Sequence, residues 1–233
     1  MQRIIVLGAT SGIGRALAAA YAESGERVGI AGRREPLLQE IQAEHPDRYE
    51  TLVCDITDIA RLEEGLSELT ERLGGLDMLI LSSGTGELNT ELDFAVELPT
   101  LNTNVLGFTA AVDWAYRYFE RQGRGHLVAI TSLAALVGGA DAPAYNASKA
   151  FQANYLSGLR GRAAKSGNKI FITDIRPGFV DTAMAKGEGL FWVAPIDKAV
   201  RQMLAAIRRR RRVVYVTKRW GMVAFLLRLF QLL

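Results

Sequence analysis

The sequence holds one cysteine in 233 residues, Cys54, which excludes an internal disulfide framework. It sits in the apolar run Leu52-Val53-Cys54 and reads as a small buried hydrophobe rather than a reactive thiol. No apolar stretch is long enough for a helix to cross a bilayer. A secretory leader is not expected, because the first apolar run, Ile4-Ile5-Val6-Leu7, leads straight into a glycine motif that must stay attached to work. Linkers, repeats and low-complexity stretches are missing apart from one arginine run, so a single domain is expected, and no metal site. Acidic residues are absent from residues 198–233, which carry ten Lys or Arg. The remainder holds 18 basic against 25 acidic residues, a net of −7, so an acidic body ends in a basic tail.

What is present alternates. Apolar runs of strand length fall at 3–8, 27–31, 49–54, 77–81, 126–131, 169–175 and 213–217. Helical patterns lie between and after them, at 12–24, 35–44, 58–73, 93–122, 144–166, 195–208 and 219–232. Continuous apolar strands alternating with helices predict βαβ units around a parallel sheet covered on both faces. The expected fold is therefore α/β: one Rossmann-like, doubly wound sheet of about seven strands over residues 1–217, then a basic and apolar helical extension, 218–233.

Gly8-Ala9-Thr10-Ser11-Gly12-Ile13-Gly14 follows the first strand and opens the first helix. Glycines let backbone amides approach a pyrophosphate, and the helix N-terminus favours its charge. The second strand ends Ile30-Ala31-Gly32-Arg33-Arg34, where sites that prefer NAD carry an acid for the ribose 2′-hydroxyl. An arginine here suits the 2′-phosphate of NADP(H), with Arg33 the first candidate and Arg34 the second. A solvated basic turn is the alternative. Asp55, followed by Ile56 at the end of the third strand, is placed to accept from the adenine amino group. Thr57 or Asp58 suits the capping of the next helix better.

Tyr145-Asn146-Ala147-Ser148-Lys149 puts a phenol and an ammonium on one helical face. A nearby ammonium, helped by the positive nicotinamide of an oxidised cofactor, favours phenolate and lowers a tyrosine pKa toward useful general-acid/base values. Ser132, after the fifth strand, can donate to a substrate oxygen. Asn104 is a poor helix residue whose side chain could hold a water beside Lys149. Gly8…Gly12-Ile13-Gly14, Asp55, Asn104, Ser132, Tyr145…Lys149 and Pro177-Gly178…Thr182, in this order, resemble the motif set of the short-chain dehydrogenase/reductase family from residue 3 to about 217. The resemblance implies an NADP(H)-dependent oxidoreductase interconverting an alcohol and its carbonyl. It implies Tyr145 as acid/base, Ser132 as substrate-orienting and Lys149 as ribose-binding and pKa-lowering. Asn104 would maintain a relay water, and Pro177, Gly178, Val180 and Thr182 would border the nicotinamide. Ser82, Ser83 and Gly84 stand where the family usually has Asn-Ala-Gly, and would keep the adenine-side backbone contact; Leu81 replaces a further Asn.

An apolar substrate is expected, because the segment between Thr182 and Pro195 offers Met184, Leu190, Phe191, Trp192 and Val193. Packing against the next helix is the plainer use of these residues. A membrane-associated lipid carbonyl reductase and a catalytically silent NADP-binding regulator or scaffold are the alternatives; the second predicts loss of a tetrad that is here complete. The tail leaves four uses open: packing on its own domain, an oligomer interface, a membrane surface and nucleic acid, the last without aromatic support. A homodimer or homotetramer is expected, with no nucleic-acid partner. The expected location is cytoplasmic, with peripheral attachment to the inner face of a membrane left open.

Overall fold

The computed structural model describes residues 1–185 and 191–230, the side chains of 228–230 excepted. Seven parallel strands form one sheet: β1 (Arg3–Leu7), β2 (Arg27–Gly32), β3 (Tyr49–Val53), β4 (Met78–Leu81), β5 (Arg124–Ile130), β6 (Lys169–Pro177) and β7 (Val213–Val216). Their order is β3-β2-β1-β4-β5-β6-β7. Eight α-helices are described: α1 (Gly12–Glu23), α2 (Glu35–Glu44), α3 (Ile59–Leu73), α4 (Phe94–Leu101), α5 (Phe108–Gln122), α6 (Pro143–Ser166), α7 (Ile196–Arg208) and α8 (Lys218–Phe230). Strand order reverses between β1 and β4, so neighbouring crossovers part and leave a crevice at the carboxyl ends of those strands.

Both faces are covered. Along β1, Ile4 and Val6 join a core with Leu17, Leu38 and Met203, from α1, α2 and α7. Ile5 and Leu7 join the opposite core with Leu66, Phe119 and Leu156, from α3, α5 and α6. That is why the strands read as unbroken apolar runs, and the doubly wound fold expected from them is the one observed.

The seven expected strands are present with ends moved by one or two residues. The helix expected over 93–122 is different. It divides into α4, a π turn at Asn102–Gly107, and α5. Asn104 causes much of this: its side chain is bonded to the Thr85 backbone, and its carbonyl is taken by Gln152 Nε2 at 2.9 Å. A ladder whose carbonyl is claimed from outside widens by one residue. A short 3₁₀ turn, Leu133–Leu136, was also not anticipated; Ser132 Oγ caps it by accepting from Ala134 N at 3.1 Å.

The tail divides too. Trp220 and Ala224 of α8 are buried on their own domain, Trp220 among Phe179, Phe191 and Trp192 with ring centroids 5.3–5.6 Å apart. Met222, Phe225 and Leu226 stay exposed. Arg208 to Arg212 are exposed at the amino end of β7, without an ion pair among the described residues, whereas α8 starts beyond its carboxyl end. Four strand residues, about 13 Å, separate them. The arginine run and the start of the apolar helix thus stand at opposite ends of β7. Residues 231–233 of the expected helix lie outside the described residues. Among the described residues no helix is long and apolar enough to cross a membrane.

Candidate active site

The crevice begins where β1 ends. Gly8 has φ +84°, and a Cβ there would lie 2.6 Å from Ser83 N, so both the backbone conformation and the close approach require glycine. Ser82 N donates to Leu7 O at 2.8 Å, which draws Ser82, Ser83 and Gly84 against the loop. Ser11 is the extended N-cap of α1 and caps no amide with its side chain, and the first turn holds no acid. The positive end of α1 therefore faces the crevice with its N–H groups unclaimed by side chains. From the other side, Thr182 Cγ2 comes within 3.4 Å of a Cβ placed on Gly12, and Thr182 Oγ1 donates to Val180 O at 3.3 Å. The segments holding Gly8, Thr10, Gly12, Ile13 and Gly14, then Ser82 to Gly84, then Pro177, Gly178, Val180 and Thr182 thus border one crevice.

The end of β2 closes its far side. Arg34 donates to Thr10 Oγ1 at 2.6 Å and to Ser11 Oγ at 2.7 Å, a guanidinium laid across the glycine loop. Arg33 is three-quarters exposed, with its nearest acid Asp55 at 3.7 Å. Asp55 Oδ1 accepts from Thr57 N at 2.9 Å and from Thr57 Oγ1 at 2.8 Å. Burial pushes this carboxyl up, but the Thr57 hydrogen bonds and Arg33 outweigh it and hold it below its usual range. Asp58 caps α3, accepting from Arg61 N at 3.4 Å. Ile56 is buried, and its carbonyl abuts Gly107 at the end of the π turn.

Four polar residues meet beside the glycine loop. Ser132, just past β5, stands beside Tyr145, in the first turn of α6, near enough to favour its phenolate. Lys149 lies one turn further, buried, with Nζ 5.7 Å from the Tyr145 ring centroid. Nζ donates to Gln152 Oε1 at 3.1 Å and reaches Ile130 O at 3.4 Å. Burial lowers its pKa to about 8, against the opposing pull of Asp174. The lowering expected for Tyr145 is not produced by the chain alone: burial pushes the phenol above its ordinary value, and the Ser132 hydrogen bond offsets only part of this.

Asn104 reaches the same place, its Oδ1 and Lys149 Nζ lying 3.4 and 3.3 Å from a Cβ built on Gly84. Its Nδ2 donates to Thr85 O at 2.7 Å and Ser148 Oγ at 3.0 Å, and its Oδ1 accepts from Thr85 N at 3.0 Å. The side chain is committed to holding the stretch after β4 onto α6. The side chain bonded to Lys149 Nζ is Gln152, on the same helix α6, and its amide bridges from there to Asn104 O in the π turn. Sequence reasoning missed this residue, although its position three after Lys149 and seven after Tyr145 puts it on their helical face. It also missed Gly86, where any Cβ would overlap the Tyr145 ring. A third omission is Asp174, an acid inside an apolar strand, fully buried against Arg176 at 2.7 Å and Thr131 Oγ1 at 2.5 Å.

Met184, Phe191, Trp192 and Val193 are exposed large apolar residues after Thr182; Leu190 lies outside the described residues. Cys54 packs against the core, and burial pushes its thiol up to about 11, so it is inert at neutral pH.

Residues 2–190 match the family model described as short chain dehydrogenase. An uncharacterized oxidoreductase of Mycobacterium tuberculosis is 31% identical over 219 residues, 89% of this chain and 85% of that protein. A short-chain dehydrogenase from Streptomyces avermitilis superposes with a TM-score of 0.73 at 28% identity, over 80% of this chain and 69% of the other. ElxO, solved with NADP bound, superposes with a TM-score of 0.81 over 92% of this chain and 96% of its own, at 19% identity, a likeness of fold.

Proposed function

The chain belongs to the short chain dehydrogenase family of oxidoreductases, and we propose that it interconverts an alcohol and its carbonyl on an apolar substrate, using NADP(H). The observation that carries this reading is a buried Lys149 with Nζ 5.7 Å from the Tyr145 ring centroid, with Ser132 beside that phenol, at the mouth of the crevice opened by Gly8.

The crevice fits a dinucleotide. Its glycine loop is a cradle that a side chain at Gly8 would fill, over the unclaimed amides of α1. Arg33 and Arg34 at the end of β2, where no carboxylate stands, suit the additional ribose phosphate of NADP(H). Asp55 Oδ2 is the acceptor for the adenine end. When bound, the nicotinamide supplies or takes the hydride.

The chain's own residues handle the proton. Ser132 Oγ donates to the carbonyl oxygen and polarises it, while Tyr145 Oη delivers or takes the proton at that oxygen. Lys149, with Nζ protons beyond its bond to Gln152, holds the ribose and supplies positive charge on the phenol's side. Asn104 fixes the geometry from below. Phe179, Phe191, Trp192 and Trp220 make an aromatic wall beyond Gly178, which supports a substrate whose carbonyl is borne on an apolar body. A homodimer or homotetramer belongs to the same reading, with Met222, Phe225 and Leu226 of α8 as contact residues.

The test is a panel of ketones, aldehydes and their alcohols, followed by absorbance of NADPH, with Tyr145→Phe as control. Turnover of apolar members that disappears in the control supports the reading. Equal turnover in the control overturns it.

A further inference from the structure

We infer that Gln152 is a positioning residue of the reaction centre, its buried amide clamping the Lys149 ammonium to the carbonyl opened by the π turn at Asn104. This rests on the role proposed above for Lys149.

Three observations carry it. Gln152 is 1% exposed, yet both ends of its amide are used: Oε1 accepts from Lys149 Nζ on the same helix at 3.1 Å, and Nε2 donates across to Asn104 O at 2.9 Å. The carbonyl it holds is released by the widened turn Asn102–Gly107 rather than by a helix end. Lys149 is itself 2% exposed, and its second tie, Ile130 O at 3.4 Å, leaves the amide as the shorter restraint.

An apolar side chain would fill this position without desolvating an amide, so packing does not explain glutamine. Its chemistry fits a different task. A neutral acceptor orients the ammonium and stabilises its charged form without cancelling the charge that acts on Tyr145. A carboxylate there would cancel it, and a hydrocarbon would leave the ammonium short of an acceptor in a buried site.

The charged and titratable groups around Lys149 are few. Tyr145 lies on its own helix, with Nζ 5.7 Å from the ring. Asp174 of β6 favours the ammonium but is already bonded by Arg176 and Thr131. Ser132, Ser148 and Asn104 are neutral. Gln152 is therefore the group in direct contact whose replacement changes the protonation of Lys149 with least disturbance elsewhere.

The experiment is the pH dependence of NADPH affinity, read by fluorescence titration, in wild type, Gln152→Leu, Gln152→Glu and Lys149→Met. Wild type is expected to lose affinity as Lys149 loses its proton, near pH 8. Loss of a hydrogen bond to an ion should move the break in Gln152→Leu to lower pH by about one unit. Gln152→Glu, which keeps the size and the acceptor for Lys149 Nζ but loses the donor to Asn104 O, should move it up. Opposite displacements support the clamp, because a role in packing would shift neither. If the break vanishes in Lys149→Met yet stays at the wild-type pH in both Gln152 variants, the clamp is overturned and the assignment of Lys149 survives. If the break persists in Lys149→Met, both fall.

Discussion

The two edges of the parallel sheet are built on opposite principles. At the amino edge, strands start with charged residues: Arg3 on β1, Arg27 on β2, Arg124 on β5 and Lys169 on β6, with Asp77 just before β4. Arg3 grips both oxygens of Asp77 at 2.8 and 2.9 Å, and Arg27 donates to the carbonyls of Leu73 and Arg72 at the end of α3. At the carboxyl edge, side chains are withdrawn instead. Gly8, Gly84 and Gly86 leave the room into which Ser83, Lys149 and Tyr145 reach. One edge is sealed by charge, the other opened by missing atoms. Substitutions at the first should act on stability, and those at the second on chemistry.

The sharpest break in this comparison is Tyr145→Phe, which removes one hydroxyl from the open edge. Turnover should fall by about 10²- to 10⁴-fold, the range for loss of a general acid or base. The melting temperature and NADPH affinity should hold. A large fall in melting temperature would make Tyr145 a structural residue and blur the two edges.

His126 carries the next largest effect, near the sealed edge. It is buried, with Nε2 2.8 Å from Thr173 Oγ1, and burial lowers its pKa to about 4. In the unfolded chain it titrates near 6.5, so between these values the unfolded state binds the extra proton. Stability should therefore fall as pH drops from about 6.5 to about 4, by about 3 kcal/mol at most. His126→Gln should flatten that part of the stability–pH curve measured by denaturant unfolding. An unchanged acid slope would remove His126 as its source.

Arg33→Asp brings the chemistry of the sealed edge, a carboxylate, into the open one. It should cut the preference for NADPH over NADH by about 10- to 100-fold, the worth of one charge-assisted contact. Titration of both cofactors decides it. If Arg33→Asp leaves the ratio untouched and Arg34→Asp collapses it, the guanidinium on Thr10 and Ser11 is the phosphate reader instead.

Asp77→Ala is the mildest. Losing a partly buried two-point ion pair should cost about 1–2 kcal/mol and lower the melting temperature by about 3–6 °C, with turnover constant. Changed turnover would show that the edges communicate through β4.

Legibility followed the same division. Strand positions were readable because burial on both faces imposes unbroken apolar runs such as Ile4 to Leu7, and the loop because Gly8, Gly12 and Gly14 have few other uses at a strand end. Ser132, Tyr145 and Lys149 were readable as a spaced set. What escaped was set by contacts far apart in sequence. The π turn depends on Thr85 and Gln152 claiming Asn104 from either side, and no helical periodicity over 93–122 reports that. Gly86 looks like an ordinary loop glycine until the Tyr145 ring lies against it. The burial of Tyr145 was illegible for a similar reason: spacing reveals the neighbouring ammonium but not the desolvation that raises the phenol in the chain alone. The tail failed by adjacency, since four residues of β7 are a short interval in sequence and the whole height of a strand in space.

That strand height fixes a direction. An anionic surface that captured the chain by Arg208 to Arg212 would hold it upside down, with the crevice facing the solution and reactants arriving from there. Seating the chain on Met222, Phe225 and Leu226 would turn it over, so that the aromatic wall met the surface and the arginines pointed outward. Whichever of the two is held decides from which side the site is fed.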